Sequence, residues 1–371
     1  MRRRSACKKQ RQMVVTELKR RQLEEVARHR DELRKNPRLT WLFFELTNRC
    51  NLSCKHCGSS CTTAGEALTA SDIERALKSV DRQKTMLCLT GGEPMLHPQF
   101  FEIAELINAL GFTWGMTTNG TLIDDEAALK LKEAGLSTVS VSLDGMEESH
   151  DQLRQRKGAW RLALRGIEAL RRVGIKPQVT TVFHKGNLGG MDELYSFLSG
   201  LGISDWRPIN VEPIGRACES DGFILSNEEF AELISFIREK RFDRDCKMNV
   251  TFGCSHYLGV EDERMARDHY FLCAAGILTA SIRSNGDICA CLDIEKRPEL
   301  VEGNIRRDDF MDVWLNKFSA YRKDRTKDST RCATCKERFI CGGDSMHTWN
   351  FNDNSPLLCY LDYRDALAAK K

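Results

Sequence analysis

The chain has 371 residues, 41% apolar and 29% charged, with a formal net charge of +3. That balance is the one of a soluble globular protein with room for about two domains. No run approaches the ~18 consecutive apolar residues of a membrane-spanning helix. The basic start MRRRSACKKQRQ has no apolar stretch behind it to make a secretory signal, so a cytoplasmic location is expected. In that reducing compartment the 16 cysteines read as metal ligands or catalytic thiols rather than disulfides.

Residues 1–38 carry 14 Lys/Arg against 5 Asp/Glu, a balance of +9 that leaves −6 for the rest. Val15, Leu18, Leu23, Val26 and Leu33 fall on one helical stripe. The segment is therefore expected to be a basic helix that lies on the body of the protein, and no nucleic-acid partner is expected.

Residues 39–240 alternate two textures. The strand-like runs are TWLFFEL, TMLCLT, FTWGMTT, TVSVSLD, QVTTVF and WRPINVEP. Amphipathic stretches lie between them at 71–80, 100–110, 124–134, 160–172 and 191–199, and SNEEFAELISFIREK closes the series. Strands separated by helices of this length predict parallel βαβ units. Six units suffice for an open, partial (β/α)6 barrel and fall short of a closed eight-fold one. Residues 241–371 lose this alternation and hold nine of the sixteen cysteines. Within them ASIRSNGDICACLDI predicts a hairpin turning on Asn285-Gly286. The domain organisation expected is thus 1–38, 39–240 and 241–371.

Just past the first predicted strand stands CNLSCKHCGSSC, which places Cys50, Cys54 and Cys57 in CxxxCxxC spacing. Strand C-termini are where a parallel barrel gathers its catalytic groups. Three thiolates in so short a loop can grip one face of a 4Fe–4S cluster and leave the fourth iron open. Structural zinc sites use four ligands, usually in two separated pairs. The second strand then ends in TGGEP, which brings Gly91, Gly92 and Glu93 to the same end of the sheet.

Together these motifs resemble the radical S-adenosylmethionine (SAM) superfamily. The resemblance implies that Cys50, Cys54 and Cys57 hold the cluster, and that its open iron chelates the amino and carboxylate groups of SAM. It implies reductive cleavage of SAM to a 5′-deoxyadenosyl radical that abstracts hydrogen from the substrate, fed by a one-electron donor such as flavodoxin or ferredoxin. Glu93 is expected near the cofactor's ammonium group, with the two glycines admitting the ligand. Thr117, Asn119, Ser142 and Asp144 are expected to line the cofactor pocket, with Arg154 near the methionine carboxylate. His56 is expected to pack or donate beside the cluster, and Cys61 to lie outside the motif.

The C-terminal cysteines resemble the SPASM extension, whose pattern is CX9–15GX4C, a gap, CX2CX5CX3C, a gap and a final C. Cys273, Gly286 and Cys291 match its first part. Cys332, Cys335, Cys341 and Cys359 match a complete set for one auxiliary cluster. Ser345 stands where the sixth cysteine belongs. A second auxiliary cluster therefore keeps only Cys273 and Cys291, with Cys254, Cys289 or His347 as replacements; Cys254 is preferred, and an open iron is an option. One or two auxiliary clusters are thus expected. Enzymes with this extension mostly modify peptides or proteins, so a peptide or protein substrate is the leading expectation. The alternatives are a small molecule such as a tetrapyrrole, for which Arg207 and Arg216 would supply cations, and a non-catalytic iron–sulfur or zinc scaffold.

Overall fold

The computed structural model describes residues 2–363 apart from 60, 63, 64, 220, 221, 244 and 246, with side chains from residue 16 onward except that of Glu219. Each of the six predicted runs forms a strand: β1 (Trp41–Glu45), β2 (Met86–Thr90), β3 (Trp114–Thr118), β4 (Leu136–Ser142), β5 (Gln178–Phe183) and β6 (Asp205–Asn210). They pair in sequence order, all parallel. Helices α2 (Ala70–Leu77), α3 (Phe100–Ala109), α4 (Asp125–Glu133), α5 (Glu147–Arg154), α6 (Ala159–Arg172), α7 (Met191–Gly200) and α8 (Asn227–Arg241) return the chain between strands; they follow α1 (Arg2–Lys35). Local chemistry sets their starts. Thr69 with Asp72 and Ser226 with Glu229 form capping boxes, and the Asp124 carboxylate caps α4.

The two faces of the sheet differ. In β4, Val139 and Val141 are buried on one face while Ser140 and Ser142 are half-buried on the other. The apolar face joins the helices in one continuous core through Leu42, Phe44, Leu87, Leu89, Trp114, Val139, Val141, Val179 and Trp206. The opposite face is the concave interior of an α/β partial barrel, where Thr117, Ser140, Ser142, Thr180 and Arg207 stand beside apolar residues such as Phe43 and Ile209. The Ser140 and Thr180 hydroxyls bond at 2.7 Å, and Arg207 Nε donates to Thr180 Oγ1 at 3.2 Å. Alternation along each strand therefore decides which residues can meet a ligand.

The Cys-rich segment is woven into the same sheet. β7 (Asn249–Val250) pairs with β6 and β8 (Thr279–Ile282) with β1, both parallel. β9 (Asp287–Cys289) and β10 (Gly303–Asn304) continue it antiparallel beyond β8. The hairpin β8–β9 forms as predicted, but its turn holds three residues rather than two. Arg283 N donates to Asp287 O, and Gly286 N donates to Arg283 O. Gly286 then takes φ +89°, the left-handed residue that such a three-residue loop requires.

Helix α1 lies on the C-terminal segment. Leu23 is buried with Tyr257, Val260, Phe271 and Ile340, and Ala27, Arg30 and Leu33 complete its buried face. Leu18 instead is 55% exposed, so the buried stripe is rotated from the expected one; the side chain of Val15 lies outside the described residues. Arg30 caps the helix Arg338–Cys341, donating to Phe339 O at 2.6 Å and Ile340 O at 2.9 Å. Among the described residues no helix is long and apolar enough to cross a membrane.

Candidate iron–sulfur and cofactor site

The loop after β1 carries Cys50, Cys54 and Cys57, and three elements hold it at the C-terminal end of the sheet. Cys50 N donates to Thr62 O at 2.9 Å within the loop. The Gly91–Gly92 backbone lies directly against it: Gly92 N donates to Thr47 O at 2.8 Å and Glu93 N to Arg49 O at 2.9 Å. A Cβ on Gly91 would come 2.4 Å from Thr47 O, and one on Gly92 2.2 Å from Arg49 O. These glycines thus admit the cysteine loop, where the sequence suggested that they admit the ligand. From the far side Arg216 donates to Cys54 O at 2.8 Å and Cys61 O at 3.2 Å. Arg216 is therefore a brace for the loop, not the substrate-facing cation expected of it.

The three cysteines cluster with Leu52 and Ala159. Burial pushes the Cys50 thiol up to about 11 and raises Cys54 as well. Cys57 goes the other way because Cys61 donates a hydrogen bond to it. Cys61 thereby gains a role as partner of Cys57. Nδ1 of His56 is buried with no hydrogen-bond partner, and burial drives that ring's pKa down to about 3, so it is neutral.

Behind the loop lies a buried ion pair. Arg154 Nε bonds Asp144 Oδ2 at 2.6 Å while its Nη1 stands 3.6 Å from Cys54 Sγ. Burial opposes the charge on Asp144, but Arg154 beside it wins and takes its pKa down to about 2. Asp144 also accepts from Val182 N at 3.0 Å, and its backbone carbonyl accepts from Asn187 Nδ2 at 2.8 Å. Asp144, expected to line the cofactor pocket, is engaged in positioning Arg154.

Glu93 is fully buried and joins β2 to β3. Its carboxylate accepts from Thr118 Oγ1 at 2.7 Å and Asn119 N at 2.8 Å, and burial raises its pKa to about 7. The Asn119 side chain reaches the cysteine loop, donating to Asn51 Oδ1 at 2.9 Å. Thr117 and Ser142 lie on the concave face, exposed and half-buried. Thr118, Asn51 and Asn187 escaped the sequence reading. Only the polar NLS and TTNG contexts pointed to the first two, and a partner distant in sequence decides each.

The C-terminal cysteines gather in two neighbourhoods. Arg331 feels both Cys359 and Cys332, Cys332 feels Cys335, and Cys341 feels Cys359. Burial raises the thiols of Cys332, Cys341 and Cys359, that of Cys359 to about 11. Cys273 joins the first: its Sγ accepts from Met346 N at 3.4 Å, and it lines one small cavity with Cys341. In the second neighbourhood Cys291, raised by burial to about 11, hydrogen-bonds His347, and Cys254 acts on the same imidazole. His347 Nε2 also lies 2.8 Å from Glu212 Oε2 and 3.2 Å from Ser255 Oγ. Cys289 turns elsewhere, its Sγ on Cys291 O at 3.7 Å beside Arg283.

The cysteines whose side chains are described are all free thiols. Buried soft donors that resist ionising alone, together with the orphaned His56 Nδ1, are the chemistry an iron–sulfur centre completes. Comparison with known proteins agrees. Residues 44–198 match the radical SAM superfamily and residues 273–336 an iron–sulfur cluster-binding domain, SPASM. An AdoMet-dependent heme synthase of Methanosarcina barkeri is 30% identical, covering 83% of this chain and 90% of its own length. The AdoMet-dependent heme synthase of Oleidesulfovibrio alaskensis is 27% identical over 91% of each. The solved structure of anSMEcpe with bound AdoMet and the Cp18Cys peptide shares the fold, with TM-score 0.68 and 19% identity over 89% of this chain and 95% of that one. The chain thus belongs to the radical SAM superfamily, as an enzyme that uses a 4Fe–4S cluster with SAM and carries an auxiliary iron–sulfur centre in a C-terminal SPASM domain.

Proposed function

We propose that this enzyme abstracts hydrogen from a carboxylate-bearing tetrapyrrole held on the concave face of the sheet. The observation that carries the reading is Arg207. Its Nε is taken by Thr180 Oγ1, and among the described residues no side chain bonds its Nη groups. A guanidinium fork of this kind suits a carboxylate. The hydroxyls of Thr117, Ser140, Ser142 and Thr180 share its face and extend the polar floor. Two relatives that run the length of this chain carry the name heme synthase, which supports a tetrapyrrole over the peptide suggested by the SPASM pattern.

The cluster and SAM, when bound, supply one reducing electron and a hydrogen-abstracting radical. This chain's residues position that chemistry. Cys50, Cys54 and Cys57 are proposed to hold the cluster, with Arg154 fixed by Asp144 against Cys54. Arg216 and the Gly91–Gly92 backbone keep the loop in place, and Arg207 anchors the substrate's carboxylate across the interior. The barrel walls exclude water from the reacting centre.

The test is anaerobic reconstitution, then SAM, a reductant and iron coproporphyrin, with 5′-deoxyadenosine and porphyrin mass as readouts. Substrate-dependent 5′-deoxyadenosine with a mass change in the porphyrin supports the reading. No porphyrin dependence, with cleavage stimulated instead by a peptide, overturns it.

A further inference from the structure

We propose that the exposed face around Lys55, Arg156, Lys157 and Lys185 is the docking surface of an acidic one-electron donor protein, whose electron enters through the turn that covers Cys54. That turn is residues 155–158, between α5 and α6. Gln155 ends α5 in the left-handed conformation, with φ +55°, and Gly158 opens α6 at φ +81°. Both ends of the turn meet the cysteine loop. Arg154, just before it, places Nη1 3.6 Å from Cys54 Sγ, and Ala159, just after it, is fully buried in one cluster with Leu52 and Cys54. From the loop side, Lys55 N donates to Leu153 O at 3.0 Å. A single layer of residues therefore separates this face from the thiols.

The charges on this face are free to meet a partner. Lys55, Arg156, Lys157 and Lys185 are exposed, and among the described residues none forms an ion pair or a side-chain hydrogen bond. Lys185 joins the others through its neighbour His184, whose ring feels the Lys55 ammonium. The acids of α5 are engaged locally. Asp151 accepts from Gly158 N and Trp160 N, Glu147 pairs with Arg161, and Glu148 accepts from Gln152 Nε2 at 3.2 Å. Unpartnered like charges attract an opposite surface and raise its on-rate by about 10- to 1,000-fold. Electron-transfer encounters need little more, since their interfaces sit at the small end of the range. In a flavin donor the hydroquinone anion becomes the neutral semiquinone as its electron passes to the cluster, and no bond forms or breaks. The proposal rests on Cys50, Cys54 and Cys57 as the cluster ligands and is independent of the substrate.

The experiment uses the full reconstituted chain with flavodoxin as the probe, and a 2Fe–2S ferredoxin in parallel. Lys55→Glu/Arg156→Glu/Lys157→Glu is compared with Lys78→Glu/Arg82→Glu/Lys176→Glu, which makes the same charge change at exposed positions before β2 and β5. Calorimetry measures binding of the oxidised donor, and stopped-flow absorbance measures cluster reduction by the reduced one. At low ionic strength the first variant is expected to bind the donor more weakly and to be reduced by it more slowly, each by about 10-fold or more. Salt should shrink both differences. The second variant should match the unaltered chain, and dithionite should reduce all three alike, with equal iron content. Unchanged binding and reduction in the first variant overturn the proposal, and so does an equal loss in both variants. If the first variant loses iron, Arg156→Glu/Lys185→Glu, which leaves the cysteine loop intact, decides by the same readouts. Anionic vesicles or RNA held by this face, with donor reduction unchanged, overturn it too. Failure of the ligand assignment shows separately, as a Cys54→Ala protein that keeps the first cluster.

Discussion

Arg154 reaches Asp144 with Nε at 2.6 Å and Cys54 Sγ with Nη1 at 3.6 Å, which makes one buried guanidinium the link between the end of β4 and the cysteine loop. Asp144 lies three residues from the start of α5, and Arg154 is the last residue of that helix, so a single short element sets the geometry. Removing one partner of such a pair leaves a buried charge unpaired, at about 3–5 kcal/mol. Asp144→Ala is accordingly expected to destabilise the protein by that amount in urea unfolding. Arg154 would also lose its orientation, and SAM binding to the reconstituted protein should weaken. Unchanged unfolding and SAM affinity together would show that the pair is dispensable.

The close approach at Gly92 makes a sharper prediction. A methyl group there meets the Arg49 carbonyl at 2.2 Å, and a backbone atom cannot swing aside as a side chain can. Gly92→Ala should therefore displace the cysteine loop and lower the iron held by the first cluster, while the auxiliary signals persist. Gly189→Ala is the control, because a Cβ there meets nothing within 4 Å. EPR of the reduced proteins separates the two cluster types; full first-cluster signal in Gly92→Ala would refute the packing role.

Much of this was legible in the sequence where the cause is local. Strand-like runs alternating with amphipathic stretches predicted β1 to β6, and the spacing of Cys50, Cys54 and Cys57 singled out the loop. What escaped is non-local. Helix α5, EESHDQLR, is polar and short, and what fixes it is the ion pair between Asp144 and its last residue, Arg154. The placement of β8 beside β1 depends on a pairing across more than two hundred residues, which no periodicity encodes. Arg216 read as a free cation because its acceptors, the carbonyls of Cys54 and Cys61, are main-chain atoms. Similarly, Thr117 was singled out, yet the adjacent Thr118 holds Glu93, since a one-residue step changes the face of the strand.

Helix α1 should behave as part of the SPASM scaffold. Leu23 sits among Tyr257, Val260, Phe271 and Ile340, so Leu23→Ala should cost about 2–5 kcal/mol locally. Arg30 satisfies the Phe339 and Ile340 carbonyls just ahead of Cys341. Arg30→Ala should therefore raise hydrogen exchange across residues 338–343 and make the Cys341 cluster more sensitive to oxygen, while the first cluster is unaffected. Exchange confined to α1 itself would mean that the helix only rests on the surface.

The substrate-side prediction follows from guanidinium geometry. A hydrogen bond to a charged group contributes about 1.5–3 kcal/mol, which corresponds to roughly 10- to 100-fold in affinity. Arg207→Met is expected to raise KM for iron coproporphyrin by that factor, with a smaller effect on kcat, because the anchor acts on the bound and reacting states alike. Arg207→Lys should recover only part of the loss, since an ammonium keeps the charge but not the two-pronged fit to a carboxylate. The Thr180 hydroxyl accepts from Nε and orients the fork, so Thr180→Val should reproduce a fraction of the Arg207→Met defect without removing any charge. Equal KM values across these variants would place the carboxylate elsewhere on the concave face.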